Sequence, residues 1–107
     1  MSVFRLCTFF AALSALLMTG AFAQGDKIEG EKIASQWCTR CHNIEPGGPF
    51  KLHPPSFASI AVYRSADQIH GRIMFPPFHS NMPQVGFILT PDNVDDIIAY
   101  IISLEPQ

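Results

Sequence analysis

The stretch WCTRCH, residues 37–42, constrains this chain more than any other part of its sequence. Cys38 and Cys41 have two residues between them, and His42 follows the second cysteine directly. A C-x-x-C pair serves three chemistries in proteins: a redox dithiol, half of a zinc site, and covalent attachment of haem. The compartment in which the chain works and the other ligands it offers must decide among them.

Residues 1–23 have the pattern of a secretory signal peptide. Arg5 is the only charge before Asp26, an apolar run follows it, and AFA at Ala21–Ala23 matches an A-x-A cleavage site. An uncleaved membrane anchor is the alternative, but the apolar segment is short for a span. We therefore expect cleavage after this site and a mature domain over residues 24–107, exported to the periplasm of a bacterium.

The mature domain is small for a protein with an independent core. Cleavage leaves 84 residues, and Cys38 and Cys41 are the only cysteines among them. Domains of this size bury little apolar surface and usually need a staple such as a metal or a cross-link. Six basic and nine acidic side chains give a formal charge of −3, which offers no reason to propose nucleic acid as a partner. We expect one domain and no second apolar span.

Capping signals and apolar periodicity predict helices joined by long loops rich in proline and glycine. The clearest helix follows Thr90, a good N-cap with Pro91 after it, and runs to Leu104. Further helices are predicted over residues 26–37, 56–63 (with Ser56 as N-cap) and 65–75, and irregular structure over 43–55 and 76–89. No convincing strand pattern is present, so the expected class is all-α.

Apolar spacing also predicts which helix faces meet the core. In the last helix the core face comprises Val94, Ile97, Ile98, Ile101 and Ile102, with Tyr100 on its flank. In the first helix an apolar face is formed by Ile28, Ile33, Ala34 and Trp37. Gly30, in the middle of that helix, costs roughly 1 kcal/mol of helix stability relative to alanine. This cost predicts that a neighbouring backbone comes close to the glycine.

Haem attachment uses all three residues of the motif, whereas the rival chemistries do not. A closed zinc site needs four ligands; Cys38 and Cys41 with two of His53, His70 and His79 could supply them, but His42 would have no role. A redox dithiol of the thioredoxin type lies near a βαβ unit, and this sequence does not alternate strands and helices. A disulfide across two residues closes too small a loop to stabilise the fold much. In haem attachment, both thiols form thioethers and the histidine becomes the proximal iron ligand.

With these residues in view, the chain resembles the class I c-type cytochromes. GEKIASQWCTRCH resembles the family's first helix running into the haem motif, and Gly30 matches a glycine at which the terminal helices cross. DDIIAYIISL resembles the last helix, with Tyr100 as its packing aromatic, whereas Ala34 departs from the aromatic common at its position. The resemblance implies a small helical bundle around one covalently attached haem c.

The resemblance also implies the remaining site residues. Met82 precedes a proline in the loop before the last helix, as the family's sixth ligand does, while Met74 lies inside a predicted helix and is better explained as a core thioether. HPPSF resembles the segment whose proline carbonyl accepts the proximal Nδ1–H, which implies Pro55, with Pro54 next. The predicted site is Cys38, Cys41, His42, Met82 and Pro55, with His42 and Met82 binding iron.

Several roles around the haem stay open at this point. Candidate wall residues are Phe50, Phe57, Ile60, Phe75, Phe78, Phe87 and Ile98. Candidate donors to the haem carboxylates are Tyr63, Arg64, Arg72 and Trp37, which the sequence does not rank. His53, His70 and His79 are expected on the surface rather than on the iron.

Two strong axial ligands leave no open position on iron for a substrate, and a thioether favours the reduced state. The chain is therefore expected to be a periplasmic one-electron carrier and not an enzyme, monomeric, and in transient contact with redox partner proteins. Three alternatives remain: a dedicated electron-accepting subunit of a periplasmic dehydrogenase or oxidase, a haem enzyme or gas sensor with open iron, and a haem-free module with a Cys38–Cys41 disulfide.

Overall fold

The structure is a computed structural model that describes residues 25–50, 53–78 and 81–107. It contains helices α1 (Lys27–Trp37), α2 (Phe57–Tyr63), α3 (Ala66–Met74) and α4 (Pro91–Ser103), and a 3-10 helix at Val85–Phe87. The described residues form no β-strand, so the all-α prediction is confirmed. The predicted signal peptide at 1–23 and the candidate His79 lie outside the described residues.

Each of the four α-helices begins where a side chain accepts hydrogen bonds from the first free backbone amides. Ser56 caps α2 and Thr90 caps α4, which confirms both predicted N-caps. Ser65 and Thr90 also form reciprocal capping boxes with Gln68 and Asn93, three residues on. The segment 76–89 was predicted to be irregular, but it contains the 3-10 helix, a short turn that apolar periodicity does not reveal.

The two terminal helices, α1 and α4, make the most extensive contact between described elements. A Cβ on Gly30 would overlap the backbone carbonyl of Asp96, and a Cβ on Gly25 would overlap that of Asp95. The amide of Asp26 also donates to the Asp96 carboxylate over 2.6 Å. The backbones therefore approach each other at the glycines, which confirms the close approach predicted at Gly30.

One continuous core lies between α4 and the other helices. Its members come from α1, the segment after it, α2, α3 and α4: Ile33, Ala34, Ile44, Phe57, Ala61, Ile69, Ile73, Val94, Ile97, Ile98, Tyr100 and Ile101. Helix α4 contacts α2 and α3 as well as α1, and the 3-10 helix packs on α3. None of the described helices has both the length and the hydrophobicity of a membrane span.

The predicted helix faces need three corrections. Ile28 and Trp37 are 56% and 45% exposed, because α1 meets α4 through a narrower stripe of Gly30, Ile33 and Ala34. Ile102 is 40% exposed, while Tyr100, predicted on the flank, is buried. The segment after the cysteine motif covers the Tyr100 side of α4, so the buried face is rotated away from Ile102.

Candidate cofactor site

The cysteine motif forms a turn at the end of α1. The amide of Cys38 donates to the carbonyl of Ala34, which completes the last helical hydrogen bond. The carbonyl of Cys38 then accepts from the amides of Cys41 and His42, over 3.2 and 2.9 Å. The helix end thus brings both thiols, each free, and the imidazole into a single turn.

The ring of His42 is held by a hydrogen bond from a distant part of the chain. Nδ1 of His42 lies 2.6 Å from the carbonyl oxygen of Pro55. Because a carbonyl can only accept, Nδ1 carries the proton, and Nε2 is the nitrogen with the free lone pair. The contact that the resemblance implied for Pro55 is therefore present, and Nε2 is left as a metal-binding donor.

Behind His42, two further aromatic rings form a buried series. The ring of Phe57 lies 5.6 Å from the imidazole, centroid to centroid, and the ring of Tyr100 lies 6.3 Å from that of Phe57. The Tyr100 hydroxyl donates to the carbonyl of Ile44 over 2.8 Å. Burial first, and then the nearby acidic side chains of Glu31 and Glu45, raise the pKa of Tyr100.

The sequence did not indicate this arrangement. Phe57 was expected only as a wall residue, and nothing marked the backbone of Ile44 as a hydrogen-bond acceptor. A buried tyrosine needs a hydrogen-bond partner for its hydroxyl, so the presence of an acceptor near Tyr100 follows once Tyr100 lies in the core.

The thiols differ in their surroundings. Cys38 is half-buried against the core, and burial raises its pKa to about 11, whereas Cys41 is exposed. Catalytic dithiols depend on a lowered thiol pKa, so Cys38 has the opposite environment. Among the described residues no three His, Cys, Asp or Glu side chains are grouped to hold a metal. Cys38 therefore lacks the lowered pKa of a dithiol nucleophile, and the described residues add no third ligand to the two thiols for a closed zinc site.

Met82 lies in the loop before α4, half-buried against the core. Val85 and Leu89 are also half-buried against this core, as is Met74 from α3. Met74 is also covered by the 3-10 helix, since a Cβ on Gly86 would lie 3.2 Å from its Cα. The other described candidates for the sixth ligand, His53 and His70, are exposed.

The candidate wall residues divide into two groups. Phe57 and Ile98 are buried in the core and Ile60 is half-buried, whereas Phe50, Phe75, Phe78 and Phe87 are exposed. These four exposed rings leave apolar surface open at the outside of the described fold.

A cleft of about 280 Å³ lies beside the carbonyl that binds His42, and it distinguishes the candidate carboxylate donors. Its lining comprises His53, Pro55, Ser59, Ile60, Tyr63 and Arg64. Tyr63 and Arg64 thus lie next to Pro55, whereas Arg72 and Trp37 do not line this cleft.

These residues fit a covalently attached haem. Two free thiols lie in the same turn as an imidazole whose Nε2 can bind iron, and a thioether lies half-buried on the same core. The exposed aromatic rings supply apolar surface for a flat macrocycle. Sulfur and imidazole donors suit iron in its haem form.

Comparison with known proteins gives two positive findings. The family model described as Cytochrome c matches residues 28–105. Cytochrome c2 from Pararhodospirillum photometricum is 54% identical over 62 residues, which is 58% of this chain and 52% of that protein. The match thus spans about half of the relative's length. No solved structure matches the chain.

Proposed function

Because this chain belongs to the cytochrome c family, we propose that it is a periplasmic single-electron carrier with His42 and Met82 as axial ligands. Members of the family bind haem c covalently, and Cys38 and Cys41 have the spacing that this attachment needs. When bound, the haem supplies an Fe(III)/Fe(II) couple. The hydrogen bond from His42 to Pro55 carries the proposal, because it leaves Nε2 as the only ring nitrogen able to bind iron.

The chain's own residues have separate tasks in this proposal. Cys38 and Cys41 hold the porphyrin by thioether bonds, and Pro55 keeps His42 in one tautomer and one direction. The thioether of Met82 supplies a soft, neutral donor that favours ferrous iron and raises the reduction potential. With both axial positions filled by protein, no coordination site remains for a substrate.

We also propose an exported, monomeric carrier that meets its redox partners transiently. The charge, apolar run and cleavage site within residues 1–23 support export, and residues 24–107 then form the mature domain. Electron-transfer complexes generally have small interfaces that form and dissociate quickly. Size-exclusion chromatography tests this part of the proposal, since a stable dimer or a stoichiometric partner would contradict it.

The attachment itself is tested by expression with a haem-attachment system, followed by extraction with acidified acetone. Thioether bonds survive this treatment, so the haem absorbance should remain with the protein. Replacement of Cys38 and Cys41 by alanine should release it into the solvent. Mature wild-type protein that is colourless, or that loses its haem in acetone, contradicts the proposed function.

The sixth ligand is tested by a matched pair of methionine variants. Met82→Ala should abolish the weak iron–sulfur charge-transfer band of the oxidised protein, while Met74→Ala should keep the band. Both methionines are half-buried on the same core, so loss of packing is similar in the two variants. Retention of the band in Met82→Ala would show that another residue binds the iron.

A further inference from the structure

We propose that Phe57 and Tyr100 are positioning residues that set the orientation of the His42 imidazole, so that helix α4 controls the plane of one axial ligand. This inference rests on the proposed function, since it takes His42 as an iron ligand. It goes beyond that function because it assigns roles to two side chains that touch neither the thiols nor the iron-binding nitrogen.

One hydrogen bond does not fix a ring. The contact from Nδ1 to Pro55 holds one edge of the imidazole, but a hydrogen bond tolerates some rotation of the ring about its Cβ–Cγ bond. A second contact against the ring limits this rotation. Phe57 supplies it, with its centroid 5.6 Å from that of His42 and the two ring planes 51° apart.

Phe57 is itself fixed in place. Its side chain is 3% exposed, and its amide donates to the carbonyl of Asn43, the residue after His42, over 2.9 Å. It follows Ser56, the fully buried N-cap of α2. The ring therefore cannot shift without moving both the start of α2 and the chain next to His42.

Tyr100 supports Phe57 from α4. The two rings are tilted by 59° at a centroid distance of 6.3 Å, within the range of favourable aromatic pairs. The Tyr100 hydroxyl then donates to the carbonyl of Ile44, two residues beyond His42. The contacts form a closed series from His42 through Phe57 and Tyr100 to Ile44, and from there back along the chain to His42.

The proposal is tested by substitutions that change these contacts while keeping the core filled. Phe57→Leu removes the ring face, and Tyr100→Phe keeps the ring but removes its hydrogen bond. The control is Ile101→Val, at a position on α4 beside Tyr100 that is similarly buried and that contributes no aromatic ring to the series. Phe57→Met replaces Phe57→Leu if the leucine variant does not fold.

The readout is the proton NMR spectrum of the oxidised protein. In low-spin ferric haem the plane of the axial imidazole decides how spin density divides among the four ring methyl groups, and hence the spread of their shifts. We expect a clear change of this spread in Phe57→Leu, a smaller change in Tyr100→Phe, and the wild-type spread in Ile101→Val. A structural role alone would lower the melting temperature of all three and leave the spread unchanged.

The outcomes separate this inference from the function on which it rests. Wild-type protein without covalent haem would overturn both, whereas wild-type protein that has the haem but lacks the iron–sulfur band would overturn Met82 as a ligand alone. Wild-type protein with both features, and a Phe57→Leu variant whose methyl spread equals that of Ile101→Val, would overturn the positioning role alone.

Discussion

The segments that carry the two proposed iron ligands are held in different ways. In the proximal segment, the described part of residues 38–57, hydrogen bonds join residues that are distant in the chain: His42 to Pro55, Asn43 to Phe57, and Ile44 to Tyr100 on α4. In the distal segment, residues 81–89, the hydrogen bonds between described residues are local, as from the Val85 amide to Pro83 and from the Leu89 amide to Val85.

This difference shows two ways of placing a ligand. The hydrogen bond to Pro55 and the ring contact with Phe57 together specify the position and the orientation of the imidazole, and both groups are distant from His42 in the chain. Local turns and side-chain packing place a thioether near the core but leave it adaptable, which suits methionine. The proximal segment should therefore share the stability of the whole fold, and the distal segment should open more easily.

Hydrogen exchange should give the largest contrast between the segments. We expect the buried amide of Phe57, which donates to the distant carbonyl of Asn43, to exchange only on global unfolding, like the amides in the centre of α4. The amides of Val85, Ile88 and Leu89 should exchange through local opening that costs several kcal/mol less. NMR exchange rates of the reduced protein measure both groups. Equal protection would show that the distal segment opens no more easily than the proximal segment.

A pair of glycine substitutions tests whether the contact of α1 with α4 tolerates a side chain less well than the open face of α3 does. Helix α1 leads into the proximal segment, so this contact also positions that segment. Gly30→Ala gains helix propensity but forces a Cβ into the backbone of α4, so we expect a net loss of about 2 kcal/mol of unfolding free energy. Gly71→Ala, also in a helix interior, meets nothing within 4 Å and should gain up to about 1 kcal/mol.

Denaturant unfolding of both haem-loaded variants measures this difference. The two substitutions share their intrinsic helix preference, so opposite signs report the tertiary contact alone. A stabilising Gly30→Ala would mean that the terminal helices can separate without penalty.

The hydrogen bond that ties the proximal segment to α4 is tested by Tyr100→Phe. Removing the hydroxyl leaves the buried carbonyl of Ile44 without that donor, which should cost about 1–2 kcal/mol. The control is Tyr63→Phe, because Tyr63 is 62% exposed and its change should lie within about 0.5 kcal/mol. A loss in the control as large as that in Tyr100→Phe would contradict a specific role for the buried hydroxyl.

The smallest effect should appear at alkaline pH. The folded protein raises the pKa of Tyr100 above its ordinary value of 10.0, chiefly by burial. Above that value the unfolded chain binds fewer protons than the folded one, so stability falls as pH rises towards the folded pKa. Below it the contribution is fully present.

The stability of wild type relative to Tyr100→Phe should therefore be constant below pH 10.0 and shrink above it. Isothermal denaturant unfolding of both proteins across this range measures the change. A difference that stays constant into strongly alkaline solution would show that Tyr100 does not keep its proton in the fold.

Local features of this protein were determined by sequence alone. Ser56 and Thr90 cap helices because their hydroxyls reach amides three residues away, and the Cys38 turn closes within the motif itself. Gly30 was identified because a glycine inside a helix is costly and needs a compensating contact. Each of these inferences depends on residues only a few positions apart, whose geometry the helix fixes.

The tertiary structure alone decided which distant groups meet. The path of the chain after the cysteine motif brings the Ile44 carbonyl to Tyr100 and Phe57 to His42, and it turns the buried face of α4 away from Ile102. Helical periodicity gives the relative angles of side chains on one helix, but not which of them a loop from elsewhere will cover. That choice depends on the packing of all the elements together.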